Sequence, residues 1–225
     1  MSIEILSWDS DFFKRKTGRI AVEDELKDIA LLQTEGCELV YVFSKCRQPV
    51  LENEGFKVLD TKVNYFKEAD GFNRIDIPEI DVYQGALNDE LIQLVLKCGW
   101  RSRFRMDEQL IGFYEELYST WLRKSLIRSN NNEVFISVLD EKIAGFLSVV
   151  KSGTNGKMTL MAVDEEVRGK GIGNNFVRKA DFWYHSHGLL TANVITQKEN
   201  KGACSLFERN GYRIVDTEYS YHFYS

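Results

Sequence analysis

The stretch Leu160–Val177, LMAVDEEVRGKGIGNNFV, decides how the chain is read. The apolar run Met158–Val163 predicts a short buried strand. An acidic turn follows, then Arg168-Gly169-Lys170-Gly171-Ile172-Gly173. After it, Ile172, Phe176, Ala180 and Trp183 recur at helical spacing. Strand, glycine-rich turn and helix, in that order, point backbone N–H groups at an anion. Three glycines let a phosphate approach the backbone, and Arg168 and Lys170 add positive charge. The spacing is that of neither the dinucleotide fingerprint nor the nucleoside-triphosphate loop. A glycine-rich turn alone is an ordinary connection; its flanking strand and helix favour an anion cradle.

Composition bounds the rest. At 225 residues the chain is one large domain or two small ones, with ample material for a core. Twenty-nine basic against thirty-four acidic residues leave a net charge of −5, which argues against a nucleic-acid partner. A negatively charged cosubstrate must then be drawn by a local basic site. No apolar run is long enough to cross a membrane, and Met1–Ser10 lacks the basic head and apolar core of a leader. The expectation is a cytoplasmic protein with no membrane association. Cys37, Cys46, Cys98 and Cys204 show no metal-ligand spacing and read as reduced thiols. His185, His187 and His222 add no metal constellation.

Along the chain, Ile3–Trp8 predicts a strand and Asp24–Gln33 a helix with Leu26, Ile29 and Ala30 inward. Leu39–Phe43 is a buried-strand signal. Pro49–Glu54 is a short helix that Gly55 caps, and Phe56–Leu59 and Lys62–Lys67 are two further strands. Gly55–Tyr65 then aligns without gaps on Gly211–Tyr221, at a constant offset of 156 residues. A strand and a short helix precede each copy, so supersecondary structure is duplicated, unless two strand-turn-strand segments coincide by chance. The first copy has no counterpart of the glycine turn. Glu68–Asn73 is the best boundary, dividing residues 1–70 from 71–225.

In the second part Arg74–Ile77 reads as a strand and Asn88 as the N-cap of a helix through Lys97. Gly99–Arg105 is a basic, aromatic loop. A long amphipathic helix is expected from about Glu108 to Arg128. Val134–Leu139 and Ile143–Val150 read as a hairpin across Asp140-Glu141. The helix after the glycine turn ends at Gly188. Asn200 caps the next helix, Gly211 ends it, and two aromatic-rich strands close the chain.

The motif R-x-x-G-x-G at Arg168–Gly173 resembles the pyrophosphate loop of the GNAT superfamily of acyl-CoA N-acyltransferases. Asn200-x-x-Ala203-x-x-Leu206-Phe207-x-x-x-Gly211-Tyr212 is similar to a second motif of that family. The resemblance implies an α/β fold: a mixed, largely antiparallel central sheet flanked by helices. It implies a complete acetyltransferase domain over 71–225 and a truncated, related half over 1–70. Leu6–Phe13, Ser102–Arg105 and Phe113-Tyr114…Trp121 narrow it to the TDP-fucosamine acetyltransferases. That closer resemblance implies a cytoplasmic, dimeric enzyme of a cell-surface polysaccharide pathway. Its acceptor would be the amino group of a TDP-4-amino-4,6-dideoxyhexose.

The resemblance also implies roles. Acetyl-CoA would lie beside Thr159–Val163. Main-chain groups of Met161, Ala162 and Val163 would pair with its pantetheine arm. Arg168, Gly169, Lys170, Gly171, Ile172, Gly173 and Asn174 would hold its pyrophosphate. Asn200 would bond the arm from the other side; as a residue it also reads as a helix N-cap. The family's proton-donating tyrosine is replaced here by Phe207, which cannot donate. Cys204 is a candidate donor in its place and also reads as a small core residue; a water, Tyr212, Tyr219 or Tyr221 are others, and the thiolate leaves without one in a further alternative. Asp60 corresponds to an acidic residue of the TDP-sugar enzymes and is the candidate base, or else part of an Asp-Thr turn, as Asp216 would be in the second copy. Arg103 and Arg105 would grip a diphosphate, with Trp100 or Phe104 stacking on base or sugar; the plain alternative is a solvated basic loop whose aromatics fill the core. Other acceptors remain open, a different small amine or a peptide amino group, and so does an acyl-CoA-binding module without turnover.

Overall fold

The computed structural model describes residues 2–32, 34–127 and 129–225. Gln33 and Arg128, the expected last residues of two helices, lie outside them. In chain order come β1 (Glu4–Ile5), α1 (Ser7–Phe13), β2 (Thr17–Val22), β3 (Leu39–Ser44), α2 (Pro49–Asn53) and β4 (Asp60–Glu68). Then follow β5 (Asp81–Val82), α3 (Asp89–Cys98), α4 (Arg103–Met106), α5 (Tyr114–Ser125), β6 (Asn132–Leu139) and β7 (Lys142–Ser152). The chain ends with β8 (Asn155–Val163), α6 (Ile172–Ser186), β9 (Thr191–Gln197), α7 (Lys201–Arg209) and β10 (Arg213–Tyr224).

Among the described residues ten strands form one sheet, in the order β1-β2-β3-β10-β4-β9-β8-β7-β6-β5. Only β2·β3 and β8·β9 are parallel, so the mixed, largely antiparallel α/β sheet expected from the sequence is what the chain forms. Helices cover both faces. Phe176, Val177, Ala180 and Tyr184 of α6 pack on Val149, Met158 and Val194. On the other face Leu91 of α3 and Leu117 and Leu122 of α5 pack with Leu39, Phe146 and Leu160. A third core, around Val40, Val42, Leu51 and Tyr221, lies under the N-terminal strands.

The two aligned segments meet at the centre of the sheet. β10 inserts between β3 and β4, and β4 lies between β10 and β9. Each copy's strand thus borders the other part of the chain. Asp60 pairs with Ser220, and Asp216 with Asn64, on either side of the Lys62–Glu218 pair. A shift of 156 residues turns the first of these pairs into the second, so the ladder has a local two-fold. Lys62 and Glu218 sit at its centre.

Several sequence expectations are corrected. The helix over Asp24–Gln33 is a single 3-10 turn at Ile29–Leu31. Side chains satisfy its backbone instead: the Gln48 amide takes Leu26 N–H and Asp24 C=O, and Asp28 takes Ala30 N–H. Leu26 is buried all the same. Ile3–Trp8 is a two-residue strand that passes into α1. Phe56–Leu59 is not a strand, because Phe56 N–H closes the end of α2 on Leu51 C=O. Arg74–Ile77 is not one either; Asn73 and Asp76 side chains bond the backbone of Ile75 and Ile77. The long helix shortens to α5 after a 3-10 turn at Ile111–Phe113, and Ser102 is followed by the short helix α4. The last two strands are one, β10, bulged between Ile214 and Asp216. Asp60-Thr61 and Asp216-Thr217 lie inside strands, not turns. The hairpin forms as read: Asp140 and Glu141 both have positive φ, 49° and 62°, which suits the right-handed twist of β6 and β7.

Candidate active site

β8 and β9 run side by side only from Asn155–Met158 against Thr191–Val194. The register shift between Ser148 and Val149 leaves Thr159 as an extra residue in β8, where its hydroxyl bonds Ser148 Oγ at 2.9 Å. A bulge of this kind bends its strand. Beyond it the strands part, β8 following β7 to Val163 and β9 following β4 to Gln197. Among the described residues the β9-facing edge of Thr159–Val163 has no strand partner, so its main-chain groups open onto a cleft of about 1420 Å³.

The glycine turn closes one end of this cleft. Asp164 starts a 3-10 turn by accepting Glu166 N–H at 3.0 Å, and Gly169 and Gly171 follow with φ of +82° and +86°. Those left-handed angles are open to glycine at no steric penalty. Gly171 is the N-cap of α6, so the first N–H groups of that helix face outward at the positive end of its dipole. A β-carbon on Gly173 would sit 3.3 Å from Leu206 Cδ2 and 3.5 Å from Met161 Cε, where α6, α7 and β8 converge. Arg168 leans back, with Nε 3.3 Å from Val163 C=O and an ion pair to Glu165 at 3.3 Å. Met161, Ala162, Val163, Arg168, Gly169, Gly171, Ile172, Gly173, Asn174 and Asn200 all line the cleft. Lys170 is exposed and stands outside the lining.

α7 forms the opposite wall. Asn200 Oδ1 accepts Ala203 N–H at 3.3 Å and also lines the cleft, so capping and ligand contact are open to the same residue. Phe207 lines the cleft, 4% exposed. Cys204 does not; its thiol faces Gln197 C=O at 3.8 Å and Lys198 C=O at 3.9 Å. Beneath Phe207 stands Tyr65 of β4, ring centroids 5.7 Å apart, whose hydroxyl donates to Glu208 at 2.8 Å. Burial and the neighbouring Cys204 and Glu208 push the Tyr65 hydroxyl pKa far up.

The α3–α5 side supplies Lys97, Cys98, Trp100, Arg101, Tyr118, Trp121 and Ser125. Lys97 ties α3 to the start of the glycine turn through Asp164 at 3.1 Å. The Cys98 thiol donates to Met161 C=O at 3.2 Å, and burial pushes its pKa up to about 12. Trp100 is 60% exposed, and the Arg105 guanidinium lies 4.2 Å from its ring centroid. Phe104 instead fills the core against Phe13, Tyr41 and Trp121. Arg103 stacks over Tyr41, Phe43 and Phe104, and its backbone N–H donates to Asp60 Oδ2 at 3.0 Å. The structure therefore brings Asp60 and Arg103 together, near the cleft but outside its lining. Cys98, Tyr118 and Gln197 were missed by the sequence reading; only the apolar stripe of α5, which runs past Tyr118, hinted at any of them. Among the described residues no cluster of three or more His, Cys, Asp or Glu is placed to hold a metal ion.

Parted parallel strands over a glycine-capped helix define the class, and comparison with known proteins gives the same answer. Residues 98–212 match the acetyltransferase (GNAT) family, just over half of the chain. The protein belongs to that family and is an N-acetyltransferase. The match stops short of β10 and leaves out β1 to β5 and α3 up to Lys97. No curated protein matches the chain. Among solved structures, a functionally unknown conserved protein from Staphylococcus epidermidis is 11% identical, with 85% of this chain and 75% of that one covered and a TM-score of 0.60. A GCN5-related N-acetyltransferase from Sphaerobacter thermophilus is also 11% identical, at 83% and 59% coverage and TM-score 0.52. The PaiA N-acetyltransferase of Thermoplasma acidophilum, solved with coenzyme A, is 17% identical, with 65% of this chain and 99% of that chain covered and TM-score 0.52. At such identities the likeness is one of fold.

Proposed function

We propose that the protein moves the acetyl group of acetyl-CoA to the amino group of a nucleotide-activated amino sugar, of the TDP-4-amino-4,6-dideoxyhexose type, by direct attack. The carrying observation is the parting of β8 and β9 above the glycine turn. Main-chain groups of Met161–Val163 would take the amides of the pantetheine arm as an added strand. The turn N–H groups would take the pyrophosphate. The coenzyme A in the Thermoplasma acidophilum relative supports the same occupant here. For the acceptor, support comes from the α3–α5 side, where Trp100 and Arg101 line the cleft and Arg105 covers Trp100. A planar base and a diphosphate suit that pairing.

In this reading the acceptor ammonium loses a proton to Asp60, the free amine attacks the thioester carbonyl, and a backbone N–H of the open edge of β8 stabilises the oxyanion. The C–S bond then breaks and the thiolate takes a proton. Phe207 supplies none, and Cys204 faces β9 carbonyls, so water is the donor we favour. Residues 1–70 and 71–225 are two related units in the same reading, supported by the local two-fold of β4 and β10. The closer resemblance adds a homodimer. The test is a substrate panel: free thiol should appear on adding TDP-4-amino-4,6-dideoxygalactose, and not with polyamines or peptides. Thiol release with a polyamine or peptide instead would assign another acceptor. Acetyl-CoA binding without release for any amine would leave the acyl-CoA-binding module, the reading Phe207 favours.

A further inference from the structure

Among the described residues several buried side-chain polar atoms lack a close hydrogen-bond partner, and four belong to one place: Asp60 Oδ1, Arg103 Nε, Ser220 Oγ and His222 Nε2. Asp60 and Ser220 are cross-strand partners, and His222 is two residues further along the same face of β10. His222 stacks on Tyr41 at 4.7 Å, and the Arg103 guanidinium lies 4.6 Å from the same ring. Buried polar groups are nearly always paired, so four together mark a site completed by something polar. Lys62, next on this face after Asp60, pairs in register with Gln197 of the cleft, and Arg103 lies two residues past cleft residue Arg101. The nest therefore adjoins the cleft on its α3–α5 side.

Its chemistry is set by Asp107, whose Oδ2 is bonded by His222 Nδ1 and the Tyr224 hydroxyl and whose Oδ1 accepts Gln109 N–H at 2.8 Å. Burial pushes this carboxyl up, but those bonds outweigh it and hold its pKa below the usual value. Burial pushes His222 down to about 4, against the pull of Asp107. The pair is thus a carboxylate and a neutral imidazole. A carboxylate only accepts, so the proton sits on Nδ1 and Nε2 keeps its lone pair. Asp9 of α1, bonded to the Tyr41 hydroxyl at 3.3 Å, and Glu218, paired with Lys62, are further carboxylates on this side.

The nest offers two acceptors, Asp60 Oδ1 and His222 Nε2, one donor, Arg103 Nε–H, and one hydroxyl, Ser220 Oγ, that serves either way. Its complement carries N–H or O–H donors beside an oxygen. We propose that the Asp107–His222 pair recognises the acceptor: His222 Nε2 and Asp60 Oδ1 take the amine end of an amino alcohol, as in an amino sugar, while Arg103 Nε–H takes the neighbouring oxygen. A polyamine brings donors but no oxygen for Arg103. This rests on the amine-acetylating reading above and narrows it.

Two measurements test it. In full-length protein with 15N-labelled histidine, ethanolamine and TDP-4-amino-4,6-dideoxygalactose should each move the His222 Nε2 resonance, and 1,3-diaminopropane should not. An Nε2 signal that stays still under both amino alcohols, or moves equally with the diamine, overturns the proposal. His222→Phe should then raise KM for the turned-over amino sugar at least tenfold with a smaller change in kcat, while the acetyl-CoA-induced rise in Tm is kept. An unchanged acceptor KM overturns the proposal too. Loss of the acetyl-CoA effect in the unaltered protein would instead sink the acetyltransferase reading, and the ethanolamine titration would still decide the nest.

Discussion

Lys62 and Glu218, equivalent positions of the two repeat copies, face each other across β4 and β10 and form an ion pair at 3.2 Å. A base thus stands opposite an acid at the centre of the ladder's local two-fold. Burial, and then the nearby Arg103 guanidinium, push Lys62 down to about 8, while Asp60 and Glu218 pull the other way. The ion pair exists while Lys62 is protonated, so coupling in a Lys62→Met/Glu218→Gln double-mutant cycle should be about 1 kcal/mol near neutrality and fade above pH 8. The folded value lies below the ordinary 10.5, so the unfolded chain holds this proton more tightly and stability should rise from pH 8 towards 10.5. Urea titrations that show no such rise, or the same rise in Lys62→Met, would contradict this.

Gly171 tests the anion cradle. Nothing lies within 4 Å of a β-carbon built there, so a side chain is opposed by φ of +86° and not by a clash. Acetyl-CoA at about a hundred times its Kd should stabilise the native protein by roughly 2.7 kcal/mol, several degrees in Tm. Gly171→Val should remove that shift. A variant that folds and still shows it would refute the assignment of the turn.

Asp60 is expected to act in proton removal. Asp60→Asn should lower kcat by about 10² or more, with the acetyl-CoA shift in Tm preserved because Asp60 lies outside the cleft lining. The check is initial rate against pH, and full turnover in the variant would move the base elsewhere.

The sheet is tied to α6 by a buried ion pair. Lys67 Nζ meets Asp181 Oδ2 at 2.6 Å, and the Tyr212 hydroxyl meets Oδ1 at 2.8 Å. Asp181→Ala would leave the Lys67 ammonium buried without a counter-charge, with Asn210 C=O still bonded to it at 2.7 Å, a loss of about 3 kcal/mol in chemical denaturation. The paired change Lys67→Met/Asp181→Leu should recover most of it. Equal damage from single and double variants would show that packing, not charge, matters there.

His222 sets an acid limit. Its folded pKa of about 4 lies below the ordinary 6.5, so the unfolded chain takes up its proton first as pH falls. The stability this group contributes is complete above 6.5 and drains away down to 4, on the order of 3 kcal/mol in all. Asp107, lowered from 3.8, adds a further loss below that value. In His222→Phe the slope between pH 6.5 and 4 should flatten; an unaltered slope would assign it to other groups.

The parts legible in the sequence are those whose cause is local. Asp140-Glu141 makes its hairpin, Asn88 and Asn200 cap their helices with their own side chains, and Gly169 and Gly171 bend the turn. Two of the misreadings are places where distant groups hold the chain. The Gln48 amide donates to Asp24 C=O and accepts Leu26 N–H where a helix was expected, and Lys179 fixes Asp76 where a strand was expected. The resemblance made Phe104 a stacking candidate beside a core alternative, and packing against Phe13 and Tyr41 decides for the core.

By itself the sequence determined the glycine turn on α6, the strand before it and the existence of a repeat, since each is written in neighbouring residues or in a constant offset. What only the tertiary structure decided is where those pieces meet. The parting of β8 from β9 depends on a bulge against β7, and the exchange of β4 and β10 on pairing across 156 residues. The nest of Asp60, Arg103, Asp107 and His222 is assembled from three separate stretches of chain. Such contacts arise from sheet register and helix packing, and residue spacing along the chain carries no trace of them.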